Sequence, residues 1–475
     1  MAEESPQSTA RCDSTSTSSL VQTANGLTSS NNKHCHDGTP VPGLSADHQQ
    51  SSTVAENYNF PDEYANLNEL AVDPLRSWHI DAGRNNEAEA PRPSLPNIPH
   101  THQQTNRKVT VSPTLTQLYT LSYLVFFAIL GTLARLGLTA LTRYANTPVL
   151  FNGIWANFGG SVVMGFLAED RMLFRNEWGT ATYDRILAQA RKQDDGEGGP
   201  ESGPGHTSAH IAAAKKAHLA CKKTIPLYIG LATGFCGSLT SFSTFIRDVF
   251  LAMSNDLSAP ASPATAQGRN GGYSFMAMVA VVITTVSLSL GGLKLGGHCA
   301  MATERLMPSF PYSTTRRFID PLFVLLGWGC WAGTVAMAVS PPHEAWRGQA
   351  IFALVFSPLG CLARFYLALY LNGKMATLPL GTIAANVTGT AILGMAWDLA
   401  HVQSGGILGC QVLQGIEDGF CGCLTTVSTW VAELNGMRRQ SAYLYGCTSV
   451  LVSLAVMILI MGGLRWSDGW SAPQC

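Results

Sequence analysis

Apolar segments long enough to cross a lipid bilayer recur along the chain after residue 112. A transmembrane helix needs about 20 consecutive, predominantly apolar residues. Nine segments reach or approach this length: residues 114–140, 150–168, 225–250, 273–295, 318–340, 349–371, 379–400, 412–434 and 441–464. The pattern predicts an all-α integral membrane protein with about nine spans, followed by a short C-terminal tail at residues 467–475.

Two polar stretches stand apart from these segments. Residues 1–112 are rich in Ser, Thr, Asn, Gln, Pro and His and contain no apolar run. Such a composition cannot bury enough apolar surface to fold, and it lacks the apolar core of a signal peptide. We therefore predict a disordered N-terminal tail. Residues 169–224 predict a long solvated loop with some helix, for example at Tyr183–Lys192.

The third and eighth segments contain the same unusual motif. Gly234–Phe245 and Gly419–Trp430 are identical at eight of twelve positions. In both, two glycines precede a cluster of hydroxyl side chains. Glycine weakens a helix, and Ser and Thr can satisfy the backbone groups that a break leaves bare. The motif predicts a broken helix at mid-membrane, where transporters place their substrate sites.

The duplication extends beyond this motif. Leu130–Arg135 matches Leu359–Arg364 at an offset of 229 residues. The same offset relates Asn157 to Asn386, which indicates an internal repeat. Because four spans are an even number, the single span at 318–340 is needed to invert the second copy. We predict an inverted repeat with three parts: a four-helix unit at residues 113–297, a linker at 298–345 that contains one transmembrane helix, and a second four-helix unit at 346–466.

The charged residues predict an orientation. They make up 13% of the 475 residues, against about a quarter in soluble proteins. With a cytosolic N-terminus, 18 Lys and Arg residues fall on the cytosolic side and 5 on the other. The positive-inside rule then predicts a cytosolic N-terminus, a cytosolic 169–224 loop and an extracellular C-terminus. The 30 basic and 31 acidic residues nearly cancel, so nothing indicates nucleic acid as a partner.

Motifs of catalysis and of metal binding are missing from the sequence. There is no GxSxG, HExxH, P-loop or Rossmann fingerprint, so we do not expect an enzyme. The twelve cysteines are scattered, with no CxxC pair or His/Cys ligand spacing. We expect them to act as small apolar packing residues rather than as a disulfide or zinc framework.

Polar residues inside the apolar segments are candidates for function. Asn157 and Asn386 lie mid-helix, where an amide either bonds a neighbouring helix or offers two donors to a dehydrated anion. Arg135 and Arg364 fit a structural role, since a permanent charge in a narrow pore would hold an anion too tightly. The broken helices add a cluster of hydroxyls that could bond carbonyls four residues back or line a pore: Thr240, Ser241, Ser243, Thr244, Thr425, Thr426, Ser428 and Thr429.

Aromatic and hydroxyl side chains follow regular helical spacings nearby. Phe242 and Phe245 lie three apart and share a face, either to pack or to present positive ring edges to an anion. Tyr445, Ser449 and Ser453 form a polar stripe on the last span. The fourth span of the first unit has Tyr273, Ala277 and Val281 at that spacing, so we expect it to have no counterpart of the stripe.

Together these motifs resemble the Fluc/FEX (CrcB-like) fluoride channel family over residues 114–465. The resemblance rests on GxxxR at Gly131–Arg135, a mid-helix Asn157 and the motif at Gly234–Phe245, each present twice. It implies two four-helix units fused through one extra helix, working as a monomeric pseudo-dimer in the plasma membrane. It also implies passive export of fluoride that protects the cell from fluoride toxicity.

The resemblance also implies roles for particular residues. Backbone carbonyls near Gly237, Thr240, Gly422 and Thr425 would hold a central sodium ion. The fluoride pathways would be lined by the remaining candidates: Asn157, Asn386, Phe242, Phe245, Ser243, Thr244, Ser428, Thr429, Trp430, Tyr445, Ser449 and Ser453.

This chain departs from the family at two positions, where Val427 and Trp430 replace phenylalanine. In the family each pathway takes one phenyl ring from each unit. One pathway here would keep Phe242 with Trp430, and the other would join Phe245 with Val427. We therefore expect one functional pore and one degenerate pore. An ion-coupled exporter of another small solute and a non-transporting membrane scaffold remain the alternative hypotheses.

Overall fold

A computed structural model describes residues 113–475, except for 145–146, 148, 150, 152, 177–182, 185–186, 189–213, 216, 258–269, 376–377 and 403–404. The predicted disordered tail and most of the predicted 169–224 loop lie outside the described residues. The described residues form helices and no strands, as the apolar pattern predicts.

Eleven helices account for the fold of the residues that the structure describes. They are α1 (Pro113–Thr142), α2 (Gly153–Glu169), α3 (Pro226–Ile229, Gly230–Cys236 and Gly237–Leu239, which are continuous), α4 (Phe242–Ser254), α5 (Gly271–Thr303), α6 (Tyr312–Val339), α7 (Glu344–Leu371), α8 (Leu380–His401), α9 (Gly406–Gly415, Ile416–Cys421 and Gly422–Leu424, also continuous), α10 (Ser428–Gly436) and α11 (Arg439–Ser467).

The helices confirm an integral membrane protein of the all-α class. Among the described residues, seven segments are long and apolar enough to cross a membrane: α1, α3 with α4, α5, α6, α7, α8 and α11. Helix α2 has 17 residues, and α9 is separated from α10 by a break. The count of nine spans stays a prediction.

Both predicted helix breaks are present. Helix α3 ends at Thr240, which is extended (φ −90°, ψ 149°), and α9 ends at Thr425, which is extended in the same way (φ −92°, ψ 156°). After the first break, Ser241 caps α4, because its Oγ accepts from the Thr244 N–H at 3.2 Å. The Gly- and hydroxyl-rich motif thus produces the local geometry that its composition predicts.

The two units make the same internal contacts. Gly131 of α1 packs against the Phe235 carbonyl and Leu239 of α3, while Gly360 of α7 packs against the Phe420 carbonyl and Leu424 of α9. The linker helix α6 lies beside α1, where the Tyr123 hydroxyl donates to Asp320 at 2.8 Å. Helix α6 also contacts α7 of the second unit, where the Trp331 indole donates to the Val355 carbonyl at 3.0 Å.

We expect Gly131→Ala to lower the thermal stability of the purified protein. A Cβ there would lie 2.6 Å from the Phe235 carbonyl oxygen, and overpacking of this kind costs about 1–3 kcal/mol. At Gly137 of the same helix a Cβ would meet no atom within 4 Å, so Gly137→Ala is the matched control and should be neutral or mildly stabilising. Equal melting temperatures for the two variants would contradict this packing.

The expectation for the cysteines is wrong for two of them. Cys410 at the start of α9 and Cys475 at the C-terminus form a disulfide, with their Cα atoms 5.7 Å apart. They meet because the C-terminal segment folds back over the end of α8. There the Trp470 indole donates to Asp398 at 3.2 Å and the Ser471 N–H donates to the His401 carbonyl at 3.2 Å. No local spacing in the sequence signals a pairing made by this tertiary contact.

Candidate functional site at the crossing of the broken helices

The two breaks meet and hydrogen-bond to each other. The Thr240 hydroxyl accepts from the N–H groups of Val427 (3.2 Å) and Ser428 (3.1 Å) at the start of α10. The Thr425 hydroxyl likewise accepts from Phe242 (3.1 Å) and Ser243 (3.0 Å) at the start of α4. In such an exchange each unit presents the same surface to the other, as in a two-fold contact. The crossing therefore relates the two units by a pseudo-two-fold axis.

The cluster of hydroxyls is mostly satisfied by protein partners. Both threonines donate to carbonyls four residues back, Thr240 to Cys236 at 3.0 Å and Thr425 to Cys421 at 2.9 Å. Other hydroxyls are joined across the crossing or to a close neighbour: Thr240 with Ser428 (3.1 Å), Thr425 with Ser243 (3.0 Å) and Ser241 with Thr244 (2.9 Å). The Thr429 hydroxyl is buried and has no hydrogen-bond partner among the described residues. Most of this cluster thus stabilises the crossing.

Each asparagine holds the break of its own unit. Asn157 Oδ1 accepts from the Ser241 N–H at 2.9 Å, and its Nδ2 donates to the Ser241 carbonyl at 3.4 Å. Asn386 makes the same pair with Thr426, at 2.9 and 3.3 Å. The bonding alternative considered for these amides is therefore present in the structure. An Nδ2 group has two donors, and the bond to the carbonyl uses one of them.

Arg135 and Arg364 are buried and brace the crossing. The Arg364 guanidinium donates to the carbonyls of Gly237 (2.8 Å) and Thr425 (3.1 Å), one from each unit. Arg135 donates to the Ser238 carbonyl at 3.1 Å and to the Asp418 carbonyl of the other unit. Both side chains contact backbone oxygens of the two units inside the protein.

The four residues expected to supply carbonyls to a sodium ion all lie at the crossing. Carbonyl oxygens suit a hard cation, and extended backbone at Thr240 and Thr425 turns their carbonyls out of the helical pattern. Arg364 already donates to Gly237 and Thr425, but each carbonyl oxygen has two lone pairs and keeps one for a cation. The donor set therefore fits the ion, with the guanidinium groups of Arg364 beside Gly237 and Arg135 beside Gly422 as its neighbours.

A buried carboxylate that the sequence reasoning missed lies one turn beyond Trp430. Glu433 of α10 is fully buried and accepts from the Thr382 hydroxyl of α8 at 2.8 Å and from the Tyr445 hydroxyl of α11 at 2.6 Å. A Glu in the apolar 412–434 segment is costly and was the available signal. This group links the three helices around the candidate pathway of the second unit.

The aromatic candidates lie edge to face beside this group. The Phe242 ring is 5.3 Å from the Trp430 ring with an interplanar angle of 71°, and 5.5 Å from the Phe245 ring at 84°. All three side chains are buried. The structure therefore brings together Phe242 of one unit and Trp430 of the other, as the resemblance implies.

The expectation that the first unit lacks a polar stripe is wrong. Tyr445, Ser449 and Ser453 are buried on α11, but Thr285 and Ser289 are equally buried on α5. The packing partners fix the correspondence, since Gly165 meets Leu293 of α5 and its counterpart Gly394 meets Met457 of α11. The correct counterparts are thus Val281, Thr285 and Ser289, and only the tyrosine is lost. Tyr273 lies about two helical turns before Val281, which is the structural counterpart of Tyr445.

The two units differ in how closely these helices approach. A Cβ at Gly165 would overlap the Leu293 carbonyl, and one at Gly296 would overlap the Val162 carbonyl. Backbone therefore touches backbone between α2 and α5. At Gly394 the nearest atom to such a Cβ is Met457 Sδ at 3.2 Å, so side chains separate α8 from α11. The first unit leaves less room between the corresponding helices.

Two crossing broken helices within a duplicated bundle define a class of membrane protein in which polar backbone lies at the centre of the fold. The chain belongs to the family described as CrcB-like protein, Camphor Resistance (CrcB), whose model matches residues 122–293 and 351–463. These two ranges correspond to the two units and leave out the linker helix α6.

Similar proteins carry fluoride in their names. The chain is 50% identical over 469 residues to Fluoride export protein 1 of Neurospora crassa, covering 90% of this chain and 87% of that protein. It is 33% identical over 358 residues to Fluoride export protein 1 of Candida albicans, covering 73% and 80%. Fluoride-specific ion channel FluC of Desulfovibrio desulfuricans is 37% identical over 107 residues, which is 22% of this chain and 81% of that protein. No solved structure matches the chain.

Proposed function

We propose that this protein is a fluoride channel that lets fluoride leave the cell passively and so protects it from fluoride toxicity. The names of its relatives support fluoride as the ion. The observation that carries the mechanism is the buried stripe on α11, in which Tyr445 lies in the same core as the Phe242 and Trp430 rings and Ser449 and Ser453 are buried further along the helix. Hydroxyls and ring edges replace the water around an anion without the tight binding of a fixed positive charge.

We propose that fluoride follows one pathway, the α11 pathway, defined by Asn386, Phe242, Trp430 and the stripe Tyr445, Ser449 and Ser453. In the corresponding α5 pathway of the first unit, Val281 replaces the tyrosine and Gly153 replaces Thr382. Both changes remove a hydroxyl that in the second unit donates to Glu433, and α2 and α5 also pack backbone to backbone. These losses support a degenerate first pathway, even though Thr285 and Ser289 remain.

The crossing is proposed to hold a structural sodium ion on the carbonyls of Gly237, Thr240, Gly422 and Thr425. A bound cation would favour the contact between the units and add a fixed positive charge at the centre of the molecule. Arg135 and Arg364 would brace the same carbonyls in a structural role. Replacing sodium by N-methylglucamine during purification should lower the melting temperature, whereas an unchanged value would count against the ion.

We further propose that the protein works as a monomeric pseudo-dimer in the plasma membrane, with its N-terminus in the cytosol and its C-terminus outside. The Cys410–Cys475 disulfide supports this orientation, because disulfides persist in oxidising compartments. Tags at residues 1 and 475 should report opposite sides of the membrane in intact cells. If both tags were found on the same side, the proposed inversion of the second unit would be wrong.

The function is tested in liposomes that contain the purified full-length protein. A fluoride electrode should record rapid efflux that requires a potassium ionophore to balance charge, with little response to chloride. The buried Glu433 favours a second candidate, a proton-coupled fluoride exporter, since carboxylates act in proton relays. Under that mechanism an imposed pH gradient would drive fluoride uphill and Glu433→Gln would abolish the coupling. A channel shows no uphill transport.

A further inference from the structure

The Trp430 indole is a buried donor without an acceptor. Its side chain is 2% exposed, and its Nε1 has no hydrogen-bond partner among the described residues. A buried donor left unpaired destabilises a fold, because it loses its hydrogen bond to water and gains none in return. The equivalent residue of the first unit is Phe245, an aromatic side chain without an N–H group. A phenyl ring would therefore pack at this position without that cost.

The position of the ring shows where an acceptor would lie. A Cβ at Gly446 would be 3.8 Å from Trp430 Cζ2, which is on the same edge of the indole as Nε1. Gly446 follows Tyr445 on α11, so the N–H edge faces the helix that carries the polar stripe. The Phe242 ring also contacts Trp430, with the two ring centroids 5.3 Å apart.

Ser453 of the same stripe also has a hydroxyl without a hydrogen-bond partner in the described part of the chain, and so does Thr429, next to Trp430. All three side chains are buried, and none of these donors has an acceptor among the described residues. A small anion that passes along α11 supplies the acceptor that such a buried donor lacks.

We propose that the indole N–H of Trp430 donates a hydrogen bond to fluoride as the ion passes between the Phe242 ring and α11. This inference rests on the proposed fluoride pathway and adds a specificity-determining donor to it. Fluoride, the smallest and most basic halide, gains most from a directed N–H donor, whereas a ring edge alone discriminates less between anions. Trp430 would thus contribute both a hydrogen bond and a ring edge where Phe245 offers only the edge.

The test replaces the N–H group and leaves the shape of the side chain unchanged. Trp430 is replaced by β-(3-benzothienyl)alanine, in which sulfur stands for the N–H, and separately by Trp430→Phe. The matched control is Trp397→Phe on α8, which also removes a buried indole N–H without a described partner, but beside Arg247 and His401. Fluoride efflux from liposomes and the fluoride-dependent rise in melting temperature are measured for each full-length protein.

Both Trp430 replacements should reduce fluoride efflux about tenfold or more, since hydrogen bonds to charged groups contribute about 1.5–3 kcal/mol. They should also lose most of the stabilisation by fluoride, and Trp397→Phe should retain both properties. Efflux by the benzothienyl protein within about twofold of wild type would overturn the proposal. If Trp430→Phe reduced fluoride efflux and the benzothienyl replacement did not, the changed shape of the side chain would explain the reduction, and the proposal would also be overturned. Absence of fluoride efflux from wild type would instead reject the proposed channel.

Discussion

Asn386→Asp is expected to reduce fluoride efflux at least hundredfold, whereas Asn157→Asp leaves most of it. An aspartate oxygen can still accept the N–H of Thr426 or Ser241, but it cannot donate to the carbonyl that the asparagine Nδ2 serves, so both breaks lose the same weaker hydrogen bond and keep the shorter one. Its negative charge, however, repels fluoride. Two unit charges 4 Å apart interact by about 4 kcal/mol at an effective permittivity of 20, which is roughly a thousandfold in a rate. We expect the new charge to act on the ion only at position 386, beside the α11 pathway; Glu433, the carboxyl group already there, accepts from the Thr382 and Tyr445 hydroxyls.

The pair of aspartate variants is a sharper test than the pair of alanine variants. Asn157→Ala removes the acceptor of the buried Ser241 N–H, at a cost of about 1–3 kcal/mol, and so disturbs the crossing even if the first pathway does not conduct. A degenerate first pore by itself predicts a milder effect for Asn157→Ala than for Asn386→Ala, because the sequence does not show this hydrogen bond. Efflux and melting temperature should therefore be measured together for all four proteins.

Two results would contradict the assignment of a single pathway. Equal and severe loss of efflux in both aspartate variants, at matched stability, would require two conducting pathways. Retained efflux in Asn386→Asp would remove Asn386 from the α11 pathway.

Raising the pH should reduce fluoride efflux by Asn386→Asp further, since ionisation of the new carboxyl group creates the repulsion. The wild-type protein provides the control for the pH change.

The sequence predicts those features that repeat or that break a pattern. Paired glycines with hydroxyls predict the helix breaks at Thr240 and Thr425, because few other residues suit extended backbone inside a membrane. The offset between Asn157 and Asn386 predicts equivalent positions, and each asparagine does hold the break of its own unit. Both predictions concern structure that is set by the residue types at and near the position itself.

Other features depend on which helices meet. Glu433 becomes part of a site only when Thr382 and Tyr445 arrive from α8 and α11. The stripe on α5 was missed because its register is set by contact with α2, and a one-dimensional spacing can start at the wrong turn. The Cys410–Cys475 pair requires the C-terminal segment to fold back. Tertiary contacts made by single residues leave no periodic signal in a sequence.

Thr425→Val should prevent isolation of a stable, monodisperse protein. Valine keeps the shape of threonine but removes the hydroxyl that accepts the N–H groups of Phe242 and Ser243. Two buried donors without acceptors cost about 2–6 kcal/mol together, which is comparable with the roughly 5–15 kcal/mol that stabilises a typical fold. Thr240→Val should behave alike, because its hydroxyl serves Val427 and Ser428.

Serine and a threonine outside the crossing provide the controls for this prediction. Thr425→Ser keeps the acceptor and should restore most of the yield and melting temperature, whereas a loss caused by the missing methyl group would persist. Thr284→Val on the exposed face of α5 removes a hydroxyl that bonds only within its own helix, and it should change stability by less than about 0.5 kcal/mol. If Thr425→Val and Thr284→Val were equally stable, the exchange of hydrogen bonds between the breaks would not hold the two units together. The fold would then depend on helix packing alone, and Arg135 and Arg364 would be the remaining polar links across the crossing.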